Sequence, residues 1–533
     1  MVKIIEQNKS NPEQKNIVPD FLLIKKLIFT ILHCLLFCGA FPNVFSLQGF
    51  SFLGWICLIP LFYLLDLCHN RREKTIWALI SGFAAYSGLI GWLYPVHWFG
   101  ALIFVVLLAL QVVVWSLLYS TFKLSNNILV CAALWVVSEF LRIQWLGGFE
   151  WTLAHSQTFN PWLIQIFDLT GPLGLSFIIV LVNGLSYKFL KHKYHWKYLV
   201  YAGMVMGLVA GYGAFKIRQM DGMAKTKSFQ VCLVQPDTSS QDKKDPDLVA
   251  PLLERDLQLS RECFRDFHPD AVIWPETAIA DDVRLRPDLL SRIGDSALFR
   301  RKEPAEKGRC PLFLTGSALW DGRRDQNGAV LLGPDATVWN VYVKQQLVPF
   351  LEFYPWGTFL RNNFYHQDFE FTSGRTAGVM DLGQGRAGIF ICSEDGYARL
   401  FRKVAPQHPD FFILLLSDIW TRVPPALMMH LQNSIVRAVS FRTPLIRSAN
   451  SGWSGAIDAA GRLARSSEQL NQAQVFKETI KLSKPGSTVY AKYGDFFAVI
   501  CVLFVIMTLY KEVNVVKGVK EKTIDANVTK YTS

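Results

Sequence analysis

The stretch Ile389-Phe-Ile-Cys-Ser-Glu-Asp-Gly396 joins a short apolar run to a polar turn. An apolar run of this kind, ended by turn residues, predicts a buried β-strand. Two other stretches have the same form, Ile273-Trp-Pro-Glu-Thr-Ala278 and Tyr342-Val-Lys344. Each run would carry one reactive group to the rim of a sheet: a thiol, a carboxylate and an ammonium.

Each of these three groups has an ordinary alternative. Cys392 could be a buried packing residue, Glu276 a solvated loop carboxylate and Lys344 an exposed strand lysine. Taken together they form a set for acyl transfer. A helix start after Cys392 would stabilise a thiolate and an oxyanion, Glu276 could remove the thiol proton, and Lys344 would keep positive charge beside both. The sequence therefore predicts these three residues as nucleophile, base and supporting cation.

Working outward, the chain from about residue 221 to 487 reads as an ordinary globular sequence with charged residues throughout. Short runs rich in Val, Ile, Leu and Phe recur there, at 229–234, 271–274, 312–315, 329–332, 388–392, 411–416 and 445–448. Helical stretches lie between several of them, as at 248–267 and 426–439. Continuous apolar runs indicate strands covered on both faces. The sequence therefore predicts an α/β layered sandwich.

Apolar segments flank this globular part. Hydrophobic residues make up 51% of the chain and charged residues only 18%, which is unusual for a soluble protein. Eight segments are long or apolar enough to consider as membrane helices, at 26–42, 50–67, 77–95, 100–120, 127–145, 162–187, 198–215 and 496–510. The polar lead before the first segment favours a retained anchor over a signal peptide. We therefore expect a bundle of about eight transmembrane helices.

The charge distribution predicts how this bundle is oriented. The formal net charge is +12, but Lys and Arg collect in alternate loops, and none lies in the loops 43–49, 95–99 and 146–161. This alternation follows the positive-inside rule and argues against a nucleic-acid surface. The predicted order is a cytoplasmic tail, a seven-helix domain, an extracytoplasmic catalytic domain, a final membrane helix and a cytoplasmic tail, with bounds 1–22, 23–218, 219–489, 490–511 and 512–533.

Ten cysteines show no metal-binding spacing, so no metal is expected. Cys263 and Cys310 of the globular part could form a disulfide in an oxidising compartment. Within the apolar part, Glu139 and Arg142 are three residues apart, and we expect them to pair on one helix face.

Several motifs resemble those of a known family. They are Leu-Val-Gln-Pro-Asp (233–237), Trp-Pro-Glu-Thr (274–277), the run from Tyr342 to Pro355, Ile-Cys-Ser-Glu (391–394), Arg-Ser-Ala-Asn-Ser-Gly (447–452) and Thr-Val-Tyr-Ala-Lys-Tyr-Gly-Asp (488–495). Ala-Phe-Pro (40–42), Ser156-Gln157 and the stretch 171–183 extend the match into the apolar part. With these motifs the chain resembles the Glu-Lys-Cys enzymes of the nitrilase superfamily, and among them the bacterial apolipoprotein N-acyltransferases.

The resemblance implies a nitrilase-like αββα sandwich attached to the membrane bundle, with Glu276, Lys344 and Cys392 as the catalytic triad. The aromatic-rich stretch 350–371 could be a lid whose lipid contacts include Trp356 and Phe359, with Trp420 as a further contact, or it could be an ordinary packed insertion. The resemblance further implies Glu352 and Glu394 as accessory carboxylates. It also implies acyl transfer, without a cofactor, from a phospholipid such as phosphatidylethanolamine to a diacylated lipoprotein. The enzyme would lie in the bacterial inner membrane with its catalytic domain on the periplasmic side and would bind no nucleic acid.

The chain departs from the family pattern at Gly-Phe-Glu-Trp (148–151), where the third residue is usually Pro, and at Ser417-Asp418, usually Asn-Asp. The same triad would also serve a membrane-tethered amidase or nitrilase that uses water as acceptor. A transporter with a catalytically inactive outer domain is a further alternative, because intramembrane charges such as Glu139 mark transport pathways in other proteins.

Overall fold

The computed structural model describes residues 12–121, 127–192, 194–222, 227–296, 310–353, 370–464, 470–482, 487–511 and 514. Apolar helices occupy the first part of the chain. Their bounds are Pro12–Ala40, Ile59–Asp66, Arg71–Ile90, Tyr94–Thr121, Ile128–Trp145, Pro161–Ile164, Phe167–Thr170, Pro172–Lys191 and Lys197–Gly222. A further apolar helix, Phe496–Lys511, follows the globular part.

Five helical stretches of the described chain are long and apolar enough to cross a membrane: Phe21–Ala40, Arg71–Ser120, Ile128–Trp145, Pro172–Lys191 and Lys197–Gly222. Arg71–Ser120 contains two helices joined by a 3₁₀ turn. The apolar stretches Ser51–Asp66 and Phe496–Lys511 are shorter. A membrane domain is therefore supported, whereas the number of eight spans stays a prediction.

The sixth predicted segment, 162–187, was placed too early. Two four-residue helices, Pro161–Ile164 and Phe167–Thr170, precede the long helix, which begins at Pro172. Gly171 has φ 62°, a left-handed conformation that interrupts the helix. Proline at the next position is suited to the first turn of a new helix. The apolar run therefore contains a helix break at Gly171 that composition alone does not show.

The globular part contains two mixed β-sheets. Its strands are β1 Lys227–Gln235, β2 Ala271–Ile273, β3 Leu312–Trp320, β4 Asp325–Leu332, β5 Val338–Val343, β6 Val379–Asp381, β7 Arg386–Ile391, β8 Phe411–Leu416, β9 Leu445–Ala449, β10 Gly455–Ile457 and β11 Gln474–Leu482. The first sheet has the order β11-β1-β2-β3-β4-β5 and the second β10-β9-β8-β7-β6. In each sheet three central strands run parallel, β1-β2-β3 and β7-β8-β9. Five of the seven predicted runs lie within strands, and the other two, 271–274 and 388–392, each extend one residue past the end of a strand.

The two sheets pack face to face between helices. Alternate residues of β1 and β8, among them Val231 and Ile413, meet in one apolar core between the sheets. Helices Val249–Glu262 and Pro287–Asp295 cover the outer face of the first sheet. Helices Ala398–Val404 and Pro424–Phe441 cover the second. The predicted αββα layer order is therefore confirmed.

The helix layer over the second sheet also packs against the membrane domain. Core residues of helix Pro424–Phe441 belong to the same apolar cluster as those of the membrane helices. Polar contacts cross this boundary: Gln432 Nε2 donates to the carbonyl of His155 at 2.8 Å, and Arg442 pairs with Asp168 at 2.9 Å. The catalytic part is thus packed onto the bundle rather than only tethered to it.

The structure differs from two predicted side-chain pairs, Cys263 with Cys310 and Glu139 with Arg142. Cys263 forms a disulfide with Cys232, and Cys310 is exposed and lies outside that bond. Cys263 follows helix Val249–Glu262, which covers the face of β1 that carries Cys232, and this tertiary proximity is not visible in the sequence. Glu139 accepts from the backbone N–H of Leu153, while Arg142 donates to the carbonyl of Trp151 and to the Gln111 side chain.

The disulfide generates a stability prediction. Because its cysteines are 31 residues apart, replacing both by alanine is expected to lower the free energy of unfolding by about 3–4 kcal/mol. Chemical unfolding of the full chain in detergent would measure this, with Cys310→Ala as control. If an alkylating reagent modifies all ten cysteines of the denatured protein without prior reduction, the disulfide is absent and the prediction is wrong.

Candidate active site

The turn after β7 carries Cys392 in an unusual backbone conformation. β7 ends at Ile391, and a 3₁₀ helix, Cys392–Gly396, follows directly. This 3₁₀ helix is named the nucleophile turn below. Cys392 has φ 53°, a left-handed value that costs about 1–2 kcal/mol for a residue with a Cβ. Such a conformation persists only where surrounding contacts hold it.

Lys344 lies beside this turn, buried between two carboxylates. It follows β5, and its backbone N–H donates to the carbonyl of Asn327 at 2.8 Å. Its Nζ is 2.7 Å from Glu352 Oε1 and 3.6 Å from Glu276 Oε1. Burial lowers the pKa of Lys344, but Glu352, the Cys392 sulfur and Glu276 raise it further, so the net pKa lies well above its ordinary value. Lys344 therefore carries a permanent positive charge.

Glu276 occupies the tight turn that follows β2. Asn327 Nδ2 donates to its Oε1 at 2.6 Å, and Lys243 Nζ donates to its backbone carbonyl at 3.0 Å. β3 passes close behind this turn at Gly316, where a Cβ would lie 2.3 Å from the carbonyl oxygen of Pro275. Only glycine permits that approach. The carboxylate is therefore held from several sides.

The pKa of the Cys392 thiol depends on its burial and on these neighbouring charges. Burial, together with the carboxylates of Glu276 and Glu352, raises its pKa well above the ordinary value, and Lys344 opposes the rise. The resting group is therefore a thiol, and it needs a base to become a nucleophile. Glu276 is suited to that role because it faces both the lysine and the sulfur.

Glu394 connects the nucleophile turn to the segment that carries Lys344. Its Oε2 accepts from the backbone N–H of Ile391 at 2.8 Å. Its Oε1 accepts from the backbone N–H groups of Gln345 at 2.6 Å and Gln346 at 3.1 Å. The Tyr342 hydroxyl donates to it at 2.9 Å. Burial raises the pKa of Glu394 to about 7. This carboxylate joins the two sheets at the site.

A buried ionic cluster lies behind the turn. His430 Nδ1 is 2.7 Å from Asp418 and its Nε2 is 3.3 Å from Asp395, while Arg447 is 3.5 Å from Asp395 and 3.3 Å from Asp418. Burial alone would lower the pKa of His430, but the two aspartates raise it to about 10 against the opposing charge of Arg447. Among the described residues no cluster could hold a metal ion, and these aspartates are occupied by cationic side chains.

Comparison with known proteins places this site in a family. Residues 34–185 match the apolipoprotein N-acyltransferase N-terminal domain, and residues 233–490 match the carbon-nitrogen hydrolase domain. The apolipoprotein N-acyltransferase of Geobacter metallireducens is 29% identical over 91% of this chain and 95% of its own. The chain belongs to the apolipoprotein N-acyltransferase family.

Other relatives extend the comparison. Apolipoprotein N-acyltransferase 1 of Treponema denticola is 26% identical over 91% of this chain and 95% of its own. A nitrilase-superfamily structure from Saccharomyces cerevisiae covers 48% of this chain and 90% of its own, with 14% identity and a TM-score of 0.34. The family assignment rests on the matched domains and the long sequence alignments.

The structure brings together five of the residues predicted for the site: Glu276, Lys344, Glu352, Cys392 and Glu394. Their roles in this family member stay a prediction.

Of the three residues predicted to contact lipid near the lid, the structure describes only Trp420. Trp356 and Phe359 lie outside the described residues. Trp420 is 37% exposed and packs against Trp92 of the membrane domain, with ring centroids 5.6 Å apart. Its contact with lipid stays a prediction.

Three site residues were missed by the sequence reasoning. Asn327 lies in β4, where nothing local marks it as the partner of Glu276. His430 sits within the apolar run of helix Pro424–Phe441, and an isolated polar residue at such a position was a usable signal. Asp395 lies in the quoted Ser-Glu-Asp-Gly but was not assigned a role.

The bonds of Glu394 generate a first prediction for the site. Glu394→Gln places an amide group where a carboxylate accepts from several N–H groups, so one backbone donor will face another donor. Acylation of Cys392 should slow by about 100-fold, because the nucleophile turn and the segment that carries Lys344 will shift relative to each other. Tyr342→Phe, which removes one donor only, is the matched control, with a loss of less than about 10-fold. Equal effects of both variants in a single-turnover assay would contradict this account.

His430 generates a prediction about pH. Its pKa is raised from 6.5 to about 10, so the stabilisation of the protonated form is complete below pH 6.5 and is lost as the pH rises to about 10. The difference in unfolding free energy between wild type and His430→Gln should therefore be constant at low pH and shrink over that interval. His408→Gln removes an exposed imidazole of the same domain and serves as control. A difference that grows with pH would refute the charged state of His430.

Proposed function

We propose that the protein transfers an acyl chain from a membrane phospholipid to the α-amine of the N-terminal diacylglyceryl-cysteine of a lipoprotein. The protein is an acyltransferase of the carbon-nitrogen hydrolase superfamily. One observation carries the finer proposal: buried Lys344 lies between Glu276 and Glu352 beside Cys392, in a domain packed onto apolar helices. That combination suits a covalent acyl transfer between substrates that remain in a membrane.

In the first half-reaction Glu276 takes the proton of the Cys392 thiol, and the thiolate attacks an ester carbonyl of the phospholipid. The oxygen of the tetrahedral intermediate becomes negative. The charge of Lys344 and the N–H groups of the nucleophile turn would stabilise it. When the ester C–O bond breaks, the leaving glycerol oxygen takes the proton from Glu276. The products are a thioester on Cys392 and a lysophospholipid.

In the second half-reaction the α-amine of the lipoprotein attacks the thioester carbonyl, and Glu276 takes a proton from the attacking nitrogen. The C–S bond breaks as the amide forms, and the Cys392 sulfur regains its proton from Glu276. Atoms and charges return to the starting state of the enzyme. The permanent charge of Lys344 serves both half-reactions because each passes through an oxyanion beside the same sulfur.

The exposed apolar side chains of the protein agree with substrates that lie in a membrane. Large apolar side chains are exposed in the loops predicted to lie on the outer side, including Phe45 at 88% and Trp98 at 64%. Aromatic residues of this kind are typical of a membrane interface. We infer that the catalytic domain lies on the periplasmic side of the inner membrane, with phosphatidylethanolamine as donor. The disulfide between Cys232 and Cys263 supports an oxidising compartment.

A hydrolase that uses water as acceptor is the second candidate, favoured by the carbon-nitrogen hydrolase match over residues 233–490. Water would attack the same thioester and release a free acid. The match of residues 34–185 to the N-acyltransferase membrane domain favours transfer. Glu139 and Arg142 each form a hydrogen bond with the backbone of residues 151–153, which favours a structural role for this pair over transport.

Detection of the acyl-enzyme tests the proposal. Purified protein is mixed with phosphatidylethanolamine and then with a diacylated lipopeptide, and the mass of the Cys392 peptide is followed. A thioester should form on wild type, move to the lipopeptide amine, and be abolished by Cys392→Ala. Cys310→Ala, an exposed cysteine of the same domain, is the matched control and should behave as wild type.

The other outcomes are equally informative. A thioester that is lost only to water would indicate the hydrolase. Absence of any adduct on Cys392 with a series of phospholipids would refute the acyl-transfer mechanism.

A further inference from the structure

A loop of the membrane domain touches the nucleophile turn. Residues 147–151, named the clamp loop here, connect helix Ile128–Trp145 to the 3₁₀ helix Leu153–Gln157. The backbone N–H of Glu150 donates to the carbonyl of Gly396 at 2.8 Å. The ring of Phe149 packs against Tyr397, with centroids 5.6 Å apart. The clamp loop therefore covers the end of the turn that begins with Cys392.

The Glu150 side chain reaches the same turn by a second route. It is 2% exposed and pairs with Arg437, which is fully buried. Arg437 Nε donates to the backbone carbonyl of Asp395 at 2.8 Å. The Tyr490 hydroxyl donates to the other carboxylate oxygen of Glu150 at 2.9 Å. Glu150 thus holds two successive carbonyls of the nucleophile turn, one directly and one through Arg437.

The clamp loop is itself anchored inside the helix bundle. Arg142 donates to the carbonyl of Trp151, at the end of the loop, and its Nε donates to Gln111 at 2.6 Å. Glu139 accepts from the backbone N–H of Leu153 at 2.8 Å. A continuous set of hydrogen bonds therefore runs from membrane helices, through the clamp loop, to the backbone beside Cys392.

We propose that Glu150 is a positioning residue that holds the nucleophile turn in its reactive geometry, so that the membrane domain takes part in setting the reactivity of Cys392. The assignment of the reaction rests on the proposed function. The physical reason lies in the left-handed backbone of Cys392. This conformation needs outside support, and a shift of about 1 Å in a reacting group can cost about 100-fold in rate.

A contact that only holds the two domains together would not change the reactivity of Cys392. The protein contains such a contact between Asp168 and Arg442. Asp168 of the membrane domain pairs with Arg442 of the catalytic domain at 2.9 Å, and Asp168 is also buried. This pair resembles the Glu150–Arg437 pair in charge and burial. None of its hydrogen bonds in the described chain reaches residues 392–396. Asp168→Asn is therefore the matched control for Glu150→Gln.

The test measures the alkylation rate of Cys392 by iodoacetamide in the full-length protein in detergent, read as the mass of the Cys392 peptide from pH 6 to 10. We expect Glu150→Gln to slow alkylation by about 10-fold at neutral pH and to shift its pH profile upward, because the thiol leaves its place beside Lys344. Thioester formation from phosphatidylethanolamine should fall by 10-fold to about 100-fold. Asp168→Asn should lower the thermal midpoint while leaving both rates per folded molecule at the wild-type value.

The outcomes separate this inference from the proposed function. Wild-type alkylation rates for Glu150→Gln, or equal losses in both variants, would overturn the positioning role. Alkylation needs no lipid, so an altered pH profile without any thioester in wild type would support the positioning role and refute the acyl transfer. Glu150→Asp, which keeps the charge on a shorter side chain, replaces Glu150→Gln if that variant does not fold, and it should show a smaller loss with the same shift in pH profile.

Discussion

The left-handed backbone at Cys392 is the constraint on which the site depends. A cysteine does not adopt φ 53° without support, and the molecule holds the turn from three directions. Glu394 binds the backbone at both sides of the site, Asp395 is enclosed by His430, Ser434 and Arg447, and the clamp loop binds the turn from the membrane domain. Much of the buried charge in this protein is therefore explained by the need to fix one short turn.

The arrangement of charges explains why a raised pKa at the nucleophile is useful. A permanently ionised thiolate would be open to oxidation and alkylation in an oxidising compartment. Here burial, together with the carboxylates of Glu276 and Glu352, raises the pKa of the sulfur and keeps it protonated, and Lys344 limits that effect. The same lysine pairs with both Glu276 and Glu352, which partly offsets the repulsion between the two carboxylates.

Residue patterns predicted the strands, an α/β layered sandwich and the reactive trio because continuous apolar runs and strand-end polar residues are local signals, whereas the αββα layer order came from the family resemblance. β11 was missed because it alternates buried residues with partly or fully exposed ones. β5 was predicted only at its end, Tyr342–Lys344, because its start is exposed and does not resemble a buried run. The disulfide partner of Cys263 and the contacts of Glu139 and Glu150 depend on tertiary packing, which no local pattern encodes. The departure at 148–151 falls in the clamp loop, where Glu150 forms a buried ion pair.

The pairing of β1 with β11 has a consequence for biosynthesis. These are the first and last strands of the globular part, and they are antiparallel along their whole length, from Lys227 opposite Leu482 to Gln235 opposite Gln474. The first sheet therefore cannot close until almost the entire chain has left the ribosome. Until then β1 presents an unpaired edge, which is prone to aggregation. Folding of the globular part should accordingly depend on protection of this edge until the last strand has been synthesised.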